Sequence, residues 1–247
     1  MTLAQMGNGA RFVARPLTVD GTPTQDWLDA LVQAPAWDVS NCREIVVVAA
    51  HPDDETLGFG GTLATLAARG VRVQVVAASD GGASHPHLER RRLERIRCAE
   101  LHTAARTLRV PAPICLGLPD GELSDHEEWL AERLTSLLEG RPVWIAATWR
   151  GDGHPDHEAV GRAAATAAQR CGAVFVEYPI WMWHWATPGD PVVPWDRLRI
   201  APVTAHALDR KTAATRCYRS QLQSIDSPPL LPPFVVRRLL DVPEVVF

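Results

Sequence analysis

Two short stretches hold most of the side chains that could do chemistry together. The first, "HPDDE", sets His51, Asp53, Asp54 and Glu55 directly behind the apolar run "IVVVAA". The second, "HPDH", sets His154, Asp156 and His157 a few residues beyond another such run, "VWIAAT". Pro52 suits the first turn of a helix, where its fixed φ helps and its missing N–H is not needed. On such a turn His51 and Asp54, three apart, face one point while Asp53 projects to another side of it. If His51, Asp54 and His157 meet, two imidazoles and a carboxylate form a three-ligand site of the catalytic zinc kind, with a fourth position open to water. Such a metal lowers the pKa of the water towards ~7 and polarises a neighbouring carbonyl. Asp53, close to the metal but not bound to it, then takes the proton as the water attacks. His154, when protonated, stabilises the oxyanion and protonates the leaving amine, and Asp156 orients a neighbouring imidazole. Acids at a helix start often only cap it, so the reading depends on the fold bringing the two clusters together.

The surrounding pattern predicts that meeting. Apolar runs recur at residues 45–50, 71–78, 113–117, 143–148 and 173–179, separated by helical segments of which several close on glycine (Gly70, Gly140, Gly172). Runs buried on both faces and alternating with helices imply a Rossmann-like α/β three-layer sandwich, a mainly parallel sheet with helices on both faces. Such sheets bind ligands beyond the carboxyl ends of their strands. There the sequence reads "HPDDE", "SDGGASH", "LPDGE", "WRGDGHPDH" and "YPIWMWHW", whereas the opposite rim receives ordinary turns such as "ARGV" and "EGRP".

At 247 residues, 46% hydrophobic and 22% charged, the chain can bury one large core. We read a single domain: a surface segment over 1–43 with Thr24 as helix N-cap and Trp27 and Leu31 facing inward, a core over 44–222, and an extension over 223–247. A net charge of -4 argues against nucleic acid or an anionic membrane as partner and favours a small ligand. The five cysteines, widely spread and never in a CxxC pair, suggest neither a disulfide framework nor a cysteine zinc site. No signal-peptide pattern opens the chain and no apolar run approaches the ~20 residues of a membrane helix, so a cytoplasmic protein is expected. Oligomeric state has no signal in the sequence.

"AHPDDE" after the first strand and a later "HPDH" resemble the hallmarks of the PIG-L/LmbE family of zinc-dependent N-acetylglucosaminyl deacetylases. The likeness extends from about residue 44 to about residue 222. It implies His51, Asp54 and His157 as metal ligands, Asp53 as general base and His154 as the electrostatic or acid partner. By the same resemblance, "RCAELHTAARTL" makes Arg97 a substrate-contacting arginine and "LGLPDGEL" makes Asp120 a ligand of substrate hydroxyls. Gly82 and Tyr218 depart from the family pattern, which often has an acid and a histidine there; His85 is the replacement contact in the second loop. The implied activity is removal of an N-acetyl or other N-acyl group from a small N-acyl sugar. A thiol-conjugate amide or an antibiotic glycoside is the alternative substrate, and a non-catalytic sugar-binding domain is the competing class. The ligand set suits Zn²⁺, but also Fe²⁺, Co²⁺ or Mn²⁺.

Three further stretches have more ordinary readings beside the chemical one. "WMWHW" is either an apolar cap or interface, or a sugar-stacking wall that includes Trp183 with His184 near the rim. "HPHLERRRLERIR" reads as a solvated helix face because Glu89 and Glu94 interrupt its basic residues. "GFGG" at 58–61 falls inside a helical segment behind acids that would repel a pyrophosphate, which argues against a dinucleotide.

Overall fold

Every residue of Glu44–Ala49 is buried, as expected of a strand covered on both faces. The computed structural model describes residues 6–224 and 228–247. Strands β1 (Glu44–Ala49), β2 (Arg72–Ser79), β3 (Ile114–Leu118), β4 (Trp144–Thr148) and β5 (Val174–Tyr178) form one parallel sheet in the order β3-β2-β1-β4-β5. Helices α1 (Asn8–Ala14) and α2 (Thr24–Leu31) precede the sheet, and α3 (Asp54–Ala68), α4 (Arg90–Leu108), α5 (Glu127–Leu138) and α6 (Pro155–Cys171) connect its strands. After β5 come α7 (Met182–Trp185), α8 (Ala205–Thr215), α9 (Arg219–Leu222) and α10 (Pro233–Asp241).

Side chains alternate across the sheet, so the strands feed two cores. Ile45 and Val47 point into one, with Phe59 and Leu63 of α3 and Leu101 and Leu108 of α4. Val46 and Val48 point into the other, with Leu130 and Leu134 of α5 and Ala163 and Ala167 of α6. This is the expected Rossmann-like sandwich. The strand order reverses between β1 and β4, and in such sheets the crevice at that switch point is where ligands bind. "HPDDE" leaves β1 and "HPDH" follows β4, so the two clusters flank that crevice.

Local boundaries correct two expectations and bear out a third. Helix α3 starts at Asp54 with Asp53 as its N-cap, so Pro52 lies outside the first turn. The reason is a break in the backbone at Asp53, whose φ of 133° no proline-initiated turn would produce. Thr24 opens α2 rather than capping it, since Pro23 holds the cap position, although Trp27 and Leu31 do face inward. "GFGG" lies wholly within α3, where a Cβ on Gly58 would stand 2.5 Å from the Tyr178 ring, so this glycine permits close packing.

The C-terminal stretch is tied to the body. Strand β7 (Val245–Val246) pairs antiparallel with β6 (Arg199–Ile200), and Phe247 exchanges backbone hydrogen bonds with Glu177 of β5. The Glu244 carboxylate accepts from the backbone N–H groups of Gly61 and Thr62 and lies 3.0 Å from Lys211 Nζ. Among the described residues, no helix is long and apolar enough to cross a membrane.

Candidate metal centre and active site

His51, Asp54 and His157 converge at the crevice, with ligand-type atoms all within 4.8 Å of one another. Asp54 Oδ2 is the common point, 3.3 Å from His51 Nδ1 and 3.3 Å from His157 Nε2. All three residues are buried.

The far side of each imidazole is held by carboxylates. His51 Nε2 lies 3.1 Å from Asp156 Oδ2 and 3.1 Å from Asp120 Oδ1. His157 Nδ1 lies 2.8 Å from Asp152 Oδ2. Carboxylates only accept, so both outer ring nitrogens donate, while the inner nitrogens, His51 Nδ1 and His157 Nε2, face the carboxylate of Asp54 and offer lone pairs to a cation once it displaces their protons. His157 Nε2 is buried without a hydrogen-bond partner. Two lone pairs and an anionic oxygen around one point suit a divalent cation, and the outer carboxylates are the second-shell partners such ligands take.

The electrostatics agree with this. Burial works against charge on His51, yet Asp120, Asp156 and Asp54 hold its imidazole well above the ordinary histidine range. Burial likewise opposes a charge on His157, but Asp54 and Asp152 carry it up to about 9. Against its own burial, Asp54 is held well below the carboxylate range by His157 and His51. A field that draws protons onto two buried imidazoles is one that a divalent ion can neutralise.

Asp53 stands apart from the three. Its φ of 133° is a conformation that costs about 1–3 kcal/mol for a residue with a side chain. Two clamps maintain it: its N–H donates to Glu55 Oε2, and its Oδ2 accepts from Arg97 Nη2 at 3.2 Å. Burial pushes the Asp53 carboxyl up to about 7, against the pull of Arg97. Glu55 is anchored in turn by Tyr218, whose hydroxyl donates to Oε1 at 2.6 Å, and by the Thr56 hydroxyl. Tyr218, noted in the sequence only as a departure, thus supports the loop that carries Asp53.

His154 caps α6: its Nδ1 accepts from the Asp156 N–H, and Pro155 occupies the first turn. Burial and the adjacent His157 and His51 lower its pKa to about 3, so the expectation of a protonated His154 gives way to a neutral ring. Asp156 accepts from the backbone of Gly121 and Leu123 as well as facing His51, which fits an orienting role.

A cavity of about 370 Å³ opens on this cluster, and its lining combines the polar side chains of His51, Asp53, Asp54, Arg97, Asp120 and His154 with the apolar ones of Leu57, Trp181, Leu230 and Leu231. Arg97 donates to Gly81 O and Pro52 O besides Asp53, so much of its guanidinium is engaged within the protein. Both Asp120 oxygens are also engaged, one by His51 and the other by the Ala83 N–H.

Three expected contacts lie away from the cavity lining. His85 is buried with Nδ1 on the Ser84 hydroxyl. Trp183 packs edge-on to Trp27 at 5.0 Å in the core, and His184 is fixed between Arg15 O and Arg238. The placement corrects the reading of Trp183 as part of a sugar-stacking wall and of His184 as near the rim, and fits the apolar reading of these two residues. Of the tryptophan-rich stretch, Trp181 lines the cavity, with a buried Nε1 that has no partner. The sequence reading also missed Asp152. Fully buried, it accepts from the backbone N–H groups of Ile180, Trp181 and Met182 while facing His157. Its only clue was an acid five residues before His157.

Comparison with known proteins agrees with this geometry. The profile of the PIG-L family, described as GlcNAc-PI de-N-acetylase, matches residues 46–168, a span that contains both clusters. The chain belongs to the PIG-L family. This PIG-L chain is 30% identical over 136 residues to a probable N-acetyl-α-D-glucosaminyl L-malate deacetylase 2 of Bacillus cereus, covering 52% of the chain and 62% of that relative. It is 31% identical over 154 residues to a 1D-myo-inositol 2-acetamido-2-deoxy-α-D-glucopyranoside deacetylase of a Mycobacterium species, covering 51% and 50%. The PIG-L chain therefore spans between half and two thirds of the length of these relatives. In fold it is similar to the N,N'-diacetylchitobiose deacetylase of Pyrococcus horikoshii, with a TM-score of 0.58 at 21% identity over 82% of this chain and 81% of that one.

Proposed function

We propose that this protein is a metal-dependent hydrolase that removes the N-acetyl group from an N-acetylglucosamine-containing small molecule, with Zn²⁺ as the metal. The observation that carries the reading is the convergence of three ligand-type atoms, His51 Nδ1, Asp54 Oδ2 and His157 Nε2, beside the carboxylate of Asp53 on its strained backbone. The named deacetylase relatives support the amide as the target.

His51, Asp54 and His157 would hold the ion. When bound, it supplies Lewis acidity, lowering the pKa of water and polarising the acyl carbonyl. Arg97 engages Oδ2 of Asp53 and so fixes the carboxylate at the cavity wall, where it accepts a proton from the attacking water. Because His154 Nδ1 accepts from Asp156 N–H, its Nε2 bears the proton and donates to the carbonyl oxygen as negative charge develops there. Neutral imidazole is sufficient for that role. Trp181 and Leu57 offer an apolar wall for a pyranose face.

The test is acetate release from a panel of N-acetylglucosamine conjugates by zinc-loaded protein. Release by the wild type, lost in Asp53→Asn while one equivalent of metal stays bound through His51, Asp54 and His157, is expected. Metal-loaded wild type that is inactive on N-acyl sugars, yet binds them, would leave a sugar-binding domain instead.

A further inference from the structure

On the α4 face of the sheet, among residues outside the cavity lining, a second group of metal-ligating atoms comes together. Asp80 directly follows β2, Cys98 lies within α4, and Cys115 lies on the edge strand β3. One carboxylate oxygen and the two sulfurs all lie within 4.8 Å of one another. None of the three residues is fully buried, so an ion can reach them.

Two observations set this group apart from a chance meeting of thiols. Asp80 Oδ1 is buried and has no hydrogen-bond partner, although an orphaned carboxylate oxygen costs about 1–3 kcal/mol or more. The strand that carries Cys115 is also distorted at this point. The β2–β3 register shifts between the pairs Ala77–Cys115 and Ser79–Leu118, and Gly117 in that interval has a φ of 69°. A bulge with glycine in the left-handed region bends an edge strand, and such bulges often adjoin functional sites. Here it leaves the Gly117 α-carbon close to Asp80, whose Oδ2 would be 3.7 Å from a Cβ at that position.

We propose that Asp80, Cys98 and Cys115 form a second metal site, for a borderline-soft divalent cation of the zinc and cadmium class. Two sulfurs and one oxygen match that class, whereas hard cations prefer all-oxygen shells. A cation would displace the thiol protons and give Asp80 Oδ1 the partner it lacks. A disulfide between the two cysteines would leave that oxygen orphaned. The site does not depend on the hydrolase reading. It does adjoin the first centre through the chain: Cys98 follows Arg97, and Gly81, which follows Asp80, accepts from Arg97 Nη1.

Cadmium binding to the full chain under reducing conditions tests the proposal. Wild type is expected to take up two equivalents, one with thiolate-to-metal charge-transfer absorption in the ultraviolet. Cys98→Ser and Cys115→Ser should each lose that absorption and one equivalent, and the equivalent they retain shows that they are folded. His157→Ala should keep the absorption and lose the other equivalent. No charge-transfer band in the reduced wild type, or a full-strength band in Cys115→Ser, would overturn the assignment.

Discussion

The chain spells His-Pro-Asp twice, at 51–53 and at 154–156, and folds the two copies differently. At the second, the backbone enters a helix directly: His154 caps it, Pro155 takes the first turn, and Asp156 points back to orient His51. At the first, the helix is delayed until Asp54, Asp53 is forced to a φ of 133°, and its side chain meets Arg97 at the cavity. The matching histidines differ as well. His51 turns Nδ1 towards Asp54 in the proposed ligand set, whereas His154 spends its Nδ1 on capping the helix. The contrast teaches that a residue's role here follows from the backbone entry into the helix, not from the tripeptide.

Substitutions can break or sharpen that comparison. The largest effect is expected for Asp54→Ala, which removes the oxygen both imidazoles face; zinc binding at this centre and acetate release should both fall to background, by titration calorimetry and acetate assay. Next come the paired aspartates. Asp53→Asn is expected to lower kcat about 10²–10⁴-fold with zinc affinity nearly unchanged, as loss of a general base does. Asp156→Asn should instead weaken zinc about 10–100-fold, as loss of an outer-shell carboxylate does. Equal phenotypes for the two would sink the contrast. Asp152→Asn is expected to resemble Asp156→Asn, because each carboxylate holds one liganding imidazole. The smallest effect belongs to Pro155→Ala, a stability loss of about 0.4–1 kcal/mol in urea unfolding, since Pro155 is compatible with its helical turn.

The strands, the doubly wound architecture and the convergence of His- and Asp-rich loops on one rim could be anticipated from periodicity and sheet chemistry, whereas the choice of His51, Asp54 and His157 as a trio came from the resemblance to the PIG-L family. What escaped was decided by side chains reaching across the sequence. Asp53's backbone depends on Glu55, Tyr218 and Arg97, and no local pattern encodes that strain. Trp181 faces the cavity while Trp183 faces Trp27, a difference set by one short helical turn after β5. Cys98 and Cys115 are 17 positions apart, so their proximity to Asp80 needs the β2–β3 pairing to be seen.

Asp152 joins two tasks in a single group. Its carboxylate holds His157 with one oxygen and gathers the amides of 180–182 with both, so the liganding ring and the wall at Trp181 hang from a common peg. A substitution that shifts residues 180–182 would therefore tug on the His157 imidazole as well, so under the proposed function a change in what the cavity admits is expected to carry a change in metal affinity.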